Sequence, residues 1–161
     1  IEQCYISTIH SYSSDQNLHD APHKDLRRAR AAGHSIIPTT TGAASAITKI
    51  FPELIGKVSG GAIRVPVSDG SMTEIMVIVN KKFSIEEISD KMQSFANTEL
   101  KGILDINFDP IVSIDVIGSS ASSIYDATLS NVFGKMIRIV SWYDNESGYS
   151  NRLLELAKKV S

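Results

Sequence analysis

The chain has 161 residues, of which 42% are hydrophobic and 21% charged, and it carries a net charge of -2. That is long enough and apolar enough for one domain with its own core, here residues 1–161, and the near-neutral charge offers no general basis for binding nucleic acid or a membrane surface. A single cysteine excludes an internal disulfide, no apolar run approaches membrane-spanning length, and the start has no basic signal-peptide character, so a cytoplasmic location is expected.

In chain order, Ile1–His10 reads as a β-strand. A long polar stretch, residues 11–35, follows, with a basic run at His23-Lys-Asp-Leu-Arg-Arg-Ala-Arg30 that is too short to argue for nucleic acid. Residues 35–37 read as a short strand. Pro38-Thr-Thr-Thr-Gly42 then leads into an apolar helical stripe that Pro52 stops. Residues 62–67 and 73–79 read as paired strands joined through Asp69-Gly70, a strong turn signal. Ser84-Ile-Glu-Glu87 is a capping box, and Ile85, Ile88, Met92 and Phe95 form one face of the helix it opens. Further strands are expected in residues 111–116 and 122–133. Residues 135–142 alternate as a strand, after which Tyr149, Leu153, Leu156 and Val160 recur at helical spacing. Asp144 and Asn145 are both good residues to cap that last helix. The fold expected is α+β: a mostly antiparallel (mixed) sheet with three amphipathic helices packed on one face.

Four places can carry chemistry. His10 stands at a strand end; as a general base it needs a nucleophile within hydrogen-bond reach, although a lone histidine is more often an ordinary hydrogen-bonded side chain. The only thiol, Cys4, lies six residues back on the same strand, roughly 20 Å away, and is read as a packing residue. Thr41 and Gly42 precede a helix, where unpaired backbone N–H groups suit an anion, or where Thr41 merely caps. Arg64 lies among apolar strand neighbours, either solvated or presenting a fixed fork to an oxyanion. Asn145 sits at a strand-to-helix corner, within reach of a ligand.

Ser141-Trp-Tyr-Asp-Asn-Glu146, followed by Gly148-Tyr-Ser-Asn-Arg152, closely resembles the C-terminal signature of phosphorylating glyceraldehyde-3-phosphate dehydrogenases. Ser7-Thr-Ile-His-Ser-Tyr12, Pro38-Thr-Thr-Thr-Gly-Ala-Ala44 and Ala62-Ile-Arg-Val-Pro66 resemble further segments of the same family, in order along essentially the whole chain. The resemblance implies roles residue by residue. His10 would activate a catalytic cysteine, Asn145 would hold the carboxamide of the nicotinamide ring of NAD, and Tyr149 would lie near that ring. Ser13, Thr41, Gly42 and Arg64 would bind phosphate groups of substrate, with Arg28 assisting.

The resemblance further implies a catalytic domain whose NAD-binding partner domain and Ser-Cys-Thr-Thr-Asn-Cys motif are not among these residues, so the chain reads as a piece of something longer and is expected to be inactive alone. A homotetramer is expected of the intact enzyme, acting on a phosphorylated aldose and inorganic phosphate, and no metal is expected. Pro22, within Ala21-Pro22 where the family has Leu-Pro, leans toward NAD over NADP. Asp15 departs from members that carry Thr there and leaves a carboxylate beside an expected anion site. Two alternatives stand beside this reading: an erythrose-4-phosphate dehydrogenase, or a non-catalytic assembly domain derived from the family.

Overall fold

The computed structural model describes residues 1–161. The α+β expectation holds. Eight strands, β1 (Gln3–Ser11), β2 (Ile37–Thr39), β3 (Val58–Val65), β4 (Ser71–Ile78), β5 (Leu104–Asn107), β6 (Ser123–Asp126), β7 (Asn131–Phe133) and β8 (Met136–Tyr143), form one mixed sheet. Its order is β2-β3-β1-β4-β8-β6-β5, with β7 also paired to β8. Only β1–β3 and β5–β6 are parallel. The three helices are α1 (Ala43–Ile50), α2 (Ile85–Asn97) and α3 (Ser147–Val160).

One expected pairing is wrong. Strands β3 and β4 do not form a hairpin, because β1 lies between them and pairs with both. Gly70, at the turn, has a φ of +79°, and a Cβ there would stand 2.1 Å from the Ser113 carbonyl oxygen. Glycine is therefore required by a close backbone approach as well as by its left-handed dihedral. Asp69 adds a tertiary role: its Oδ1 accepts from the Gly70 and Asn145 backbone N–H groups at 2.6 and 3.3 Å. Asp-Gly here marks a packed corner between distant segments.

The segment expected as a strand over residues 111–116 is instead loop and a 3-10 turn at Ser113–Val116. Val116 is buried with Ala121, Ile124 and Trp142 in a small core cluster, which explains its apolar character without any strand. The short strand expected at residues 35–37 starts at Ile37, and β5 was not anticipated.

The capping box of α2 is realised, with Ser84 Oγ accepting from Glu87 N and Glu87 Oε2 accepting from Ser84 N. Ser89 of α2 bonds the Tyr125 hydroxyl at 3.0 Å, tying that helix to β6. The expectation that all three helices bury their apolar faces on the sheet fails for α3. Leu154, Leu156 and Val160 are exposed, and α3 is held at its first turns, where Gly148 meets the Ala121 backbone and Arg152 donates to Gly102 O and Ser122 Oγ. No helix is long and apolar enough to cross a membrane.

Candidate functional site

The strand order brings distant sequence segments into one row. His10 of β1 is opposite Arg64 of β3, which is opposite Ile37 of β2. On the other side Ile9 pairs Met72, so the antiparallel register sets His10 beside Ser71, and Ser71 is opposite Tyr143 of β8. Residues opposite one another on adjacent strands share a face of the sheet, so Arg64, His10, Ser71 and Tyr143 form a polar row near the ends of four adjacent strands. The His10 and Tyr143 rings meet edge to face, with centroids 6.1 Å apart.

His10 Nδ1 is 2.7 Å from the Ser11 carbonyl oxygen. Arg64 Nη1 lies 2.8 Å from the same Nδ1 and donates to the Ser11 carbonyl at 3.1 Å. The carbonyl can only accept and the guanidinium can only donate, so the two Nδ1 contacts favour opposite tautomers, while Nε2 makes no hydrogen bond within the chain. Burial lowers the His10 pKa from its ordinary 6.5; the Ser11 bond opposes this, Arg64 adds to it, and Asp69 pulls the other way. The net direction favours the neutral ring, the form a general base requires.

Arg64 is itself half-buried, and its Nε has no hydrogen-bond partner. Burial lowers its pKa, and repulsion from Arg28 adds to that. A buried orphan N–H costs about 1–3 kcal/mol, and two mutually repelling guanidinium groups relax when an anion lies between them.

Asn145 follows β8 directly and is tied into the row. Its Nδ2 donates to Ser11 Oγ and its Oδ1 accepts from Ser71 Oγ, both at 2.5 Å. Of the two capping candidates, Asp144 is the one that holds α3. Its Oδ1 accepts from the Glu146 and Ser147 backbone N–H groups at 2.8 and 2.6 Å, and its Oδ2 from Gly118 N at 2.7 Å. Burial alone would raise the Asp144 carboxyl, but these N–H donors outweigh it and hold the pKa below the usual carboxylate value. Asn145 is thereby released from capping, and its side chain turns to the strand ends.

The remaining expected residues stand apart from this cluster. Ser13 is engaged with Gln16, whose Oε1 accepts from Ser13 N at 2.8 Å and Ser13 Oγ at 3.1 Å. Thr41 Oγ1 accepts from Ala43 N at 3.2 Å, the capping alternative, and Gly42 takes the cap position of α1 in a right-handed conformation. No hydrogen bond joins Thr41 or Gly42 to Arg64. Tyr149 is exposed on α3. Cys4 is a free, part-buried thiol whose pKa burial raises, a packing residue without thiolate character.

The offset for Asp15 is Arg28. That guanidinium pairs with the Asp15 carboxylate, lies 3.7 Å from Asp25 and donates to Thr39 Oγ1 at 2.8 Å. Within the basic run Arg28 is thus neutralised locally, and Arg30 pairs with Asp20 at 3.3 Å. Sequence reasoning missed Ser11, Ser71 and Tyr143. Tyr143 was within the signature, but its nearness to His10 depends on a strand order that no local pattern carries.

Fold and side chains together define an α+β domain with a histidine, an arginine and an asparagine carboxamide gathered at the ends of its central strands. A family model described as the C-terminal domain of glyceraldehyde 3-phosphate dehydrogenase matches residues 1–145. The chain is 49% identical over 160 residues to glyceraldehyde-3-phosphate dehydrogenase 1 of Streptomyces avermitilis, covering 99% of this chain and 48% of that protein. It is 52% identical over 155 residues to the Mycolicibacterium smegmatis enzyme of that name, covering 96% of this chain and 46% of the relative. Against the Geobacillus stearothermophilus enzyme it is 49% identical over 157 residues, 97% of this chain and 47% of that protein. The chain belongs to the glyceraldehyde 3-phosphate dehydrogenase family, as its C-terminal domain, and spans about half the length of the curated relatives it matches.

Proposed function

We propose that this chain is the catalytic and substrate-binding domain of an NAD-dependent, phosphorylating glyceraldehyde-3-phosphate dehydrogenase. The observation that carries the proposal is the pairing of His10, whose Nδ1 sits between the Ser11 carbonyl and Arg64 and whose Nε2 has no partner, against Arg64, with its Nε unpartnered. Base and anion-binding cation are thus neighbours on adjacent strands, which is what a phosphorylated aldehyde reacting at a thiol requires. The erythrose-4-phosphate and assembly-domain alternatives draw no support from the named relatives, all of which are glyceraldehyde-3-phosphate dehydrogenases.

In this proposal the nucleophilic thiol comes from outside these residues, since Cys4 pairs with Val58 and Val77 far along β1 from His10. His10 Nε2 takes the thiol proton, and the resulting imidazolium hydrogen-bonds the oxyanion formed when sulfur attacks the aldehyde carbon. Loss of hydride leaves a thioester, which inorganic phosphate cleaves to an acyl phosphate, returning the thiolate. Arg64, with Ser13, Thr41 and Gly42, holds the phosphate groups. For two of those three residues binding means exchanging a partner: the Ser13 hydroxyl must turn from Gln16 and the Thr41 hydroxyl from Ala43 N, while Gly42 stands at the cap position of α1.

Asn145 fits a primary carboxamide. With one donor and one acceptor position spent on the two serines, its amide keeps one N–H and one oxygen lone pair for a ligand. NAD, when bound, supplies the hydride acceptor, and Asn145 orients its carboxamide. The intact protein is proposed to act in the cytoplasm as a homo-oligomer, a tetramer, with NAD in preference to NADP. The test is phosphate-dependent reduction of NAD by the full-length protein with glyceraldehyde 3-phosphate and with erythrose 4-phosphate. Higher kcat/KM on the triose phosphate is expected. Equal or reversed preference sinks the substrate assignment, and no turnover on either aldehyde sinks the enzymatic one.

A further inference from the structure

We propose that Tyr143 is a positioning residue for the base: its aromatic ring walls one side of the His10 imidazole and holds that ring in one orientation, with Nε2 left free. The inference rests on the assignment of His10 as the base made above and goes beyond it. Hydrogen bonds alone do not fix this imidazole. The Ser11 carbonyl and Arg64 Nη1 both reach Nδ1, at 2.7 and 2.8 Å, and favour opposite tautomers, while Nε2 has no partner in the chain. A histidine ring held at one nitrogen still swings about its Cβ–Cγ bond, a torsion with broad preferences, unless something packs against it. Tyr143 does so, its ring meeting that of His10 edge to face at an interplanar angle of 69°.

The contact reaches across a whole strand. His10 lies on β1 and Tyr143 on β8, with β4 between them, and the register sets Ser71 of β4 between the two side chains. Strands two places apart are separated by roughly 9.5 Å. Rings whose centroids stand 6.1 Å apart have therefore leaned toward each other over Ser71, whose short side chain leaves the space. The Tyr143 ring is half-buried, and burial raises the pKa of its phenol, so it meets His10 uncharged. Its effect is to keep water from the imidazole, which favours the neutral form that accepts a proton. An aromatic face also attracts an imidazolium, but that attraction is confined to about 6 Å, and exclusion of water prevails. Burial lowers the His10 pKa most. The other groups facing the imidazole act from three elements: Ser11 of β1 raises it, Arg64 of β3 lowers it and Asp69, just before β4, raises it.

Phenylalanine and leucine at this place separate the ring from the hydroxyl. In the full-length protein, Tyr143→Leu is expected to lower kcat about tenfold, a fraction of what a base contributes, with KM for NAD and for glyceraldehyde 3-phosphate little changed. Tyr143→Phe keeps the ring and is expected to keep most of kcat. In this chain, the NMR titration midpoint of His10 is expected to move upward, toward 6.5, in the leucine variant and to stay in place in the phenylalanine one. Equal loss of kcat in both variants would assign the effect to the hydroxyl, and a higher KM at intact kcat would assign it to ligand binding; either result overturns the proposal. A downward midpoint in Tyr143→Leu overturns it too, since the ring would then be stabilising the imidazolium and not the free base. So does an unchanged kcat in Tyr143→Leu, provided that His10→Asn lowers kcat. If His10→Asn leaves kcat unchanged, the assignment of the base is itself wrong, and this inference falls with it. Should the leucine variant fail to fold, the wild-type chain still decides: nuclear Overhauser contacts between the ring protons of Tyr143 and His10 are expected, and their absence overturns the packing.

Discussion

Two polar side chains on either side of Trp142 behave in opposite ways. Asp126, at the end of β6, is 1% exposed and has every direction filled. Its Oδ2 accepts from Trp142 Nε1 at 2.8 Å, and its Oδ1 accepts from Thr128 N, Thr128 Oγ1 and Leu129 N at 2.9, 2.7 and 3.0 Å. Asn145, three residues past Trp142, is part-exposed and spends only half of its hydrogen-bonding capacity on the protein. The His10–Arg64 pair is of the second kind, with a bare Nε2 and an orphan Nε. A closed polar group fixes the fold, whereas a partly open group held rigidly by its other half is prepared for a ligand.

The largest effect expected on this contrast is at the open side. His10→Asn in the full-length enzyme should lower kcat by about 10²–10⁴-fold and change substrate binding far less, because the lost function is proton transfer. Alkylation of the reactive thiol should also lose its low-pH limb, since no imidazolium remains to stabilise the thiolate. An unchanged alkylation profile would place the base elsewhere.

On the closed side the readout is stability. Asp126→Ala leaves Trp142 Nε1 and two backbone N–H groups without acceptors in a buried place, a loss of roughly 3 kcal/mol, seen as a lower urea midpoint at constant slope. Burial would raise the Asp126 pKa, but its four donors prevail and hold it below the ordinary 3.8. The stability this carboxylate supplies is therefore fully present above that value and lost as pH falls through the lower folded one. The alanine variant should lose the corresponding part of its acid sensitivity.

Arg64 tests whether an open group carries binding. Arg64→Lys keeps the charge but loses the fork, and Arg64→Ala loses both. A charge-assisted pair is worth roughly 1.5–3 kcal/mol, so phosphate or sulfate affinity should weaken by about one to two decades in the alanine variant and by less in the lysine one. Anion affinity unchanged in both would make Arg64 a surface charge.

Much of this was legible in the sequence, for definite reasons. Alternation found β1, β4 and β8, because each buries side chains at a period of two, and Ser84 and Glu87 marked the start of α2 because a capping box is local chemistry. What stayed hidden was tertiary. Asp69-Gly70 satisfied a hairpin rule while serving a backbone crossing at Ser113 and an acceptor for Asn145, so β1 could enter between β3 and β4 unannounced. The apolar stripe of α3 was read correctly as a helix and wrongly as a buried one, since periodicity reports a face and never what lies against it. His10, Arg64 and Asn145 were found through resemblance. Their joining through Ser11 and Ser71 needed the register.

The smallest effect expected is also the one that this chain can show without a partner domain. His10 faces Arg64, which lowers its pKa, and Asp69, which raises it, while burial lowers it most and the Ser11 bond raises it. Replacing Arg64 by Met removes the cation and should move the NMR titration midpoint of His10 upward, toward 6.5. Asp69→Asn removes the carboxylate and should move it down. Opposite signs are the signature of through-space charge, because a general loosening of the strand ends would expose the ring and raise the midpoint in both variants. Stability follows the same logic. With the folded pKa below the unfolded one, the unfolded chain binds more protons as pH drops under 6.5, so stability falls across that interval and levels off below the folded value. In Arg64→Met the two values draw together and the fall should shrink. Midpoints that shift the same way in both variants would mean that desolvation alone sets this base, and that Arg64 stands near His10 only for the anion they are proposed to share.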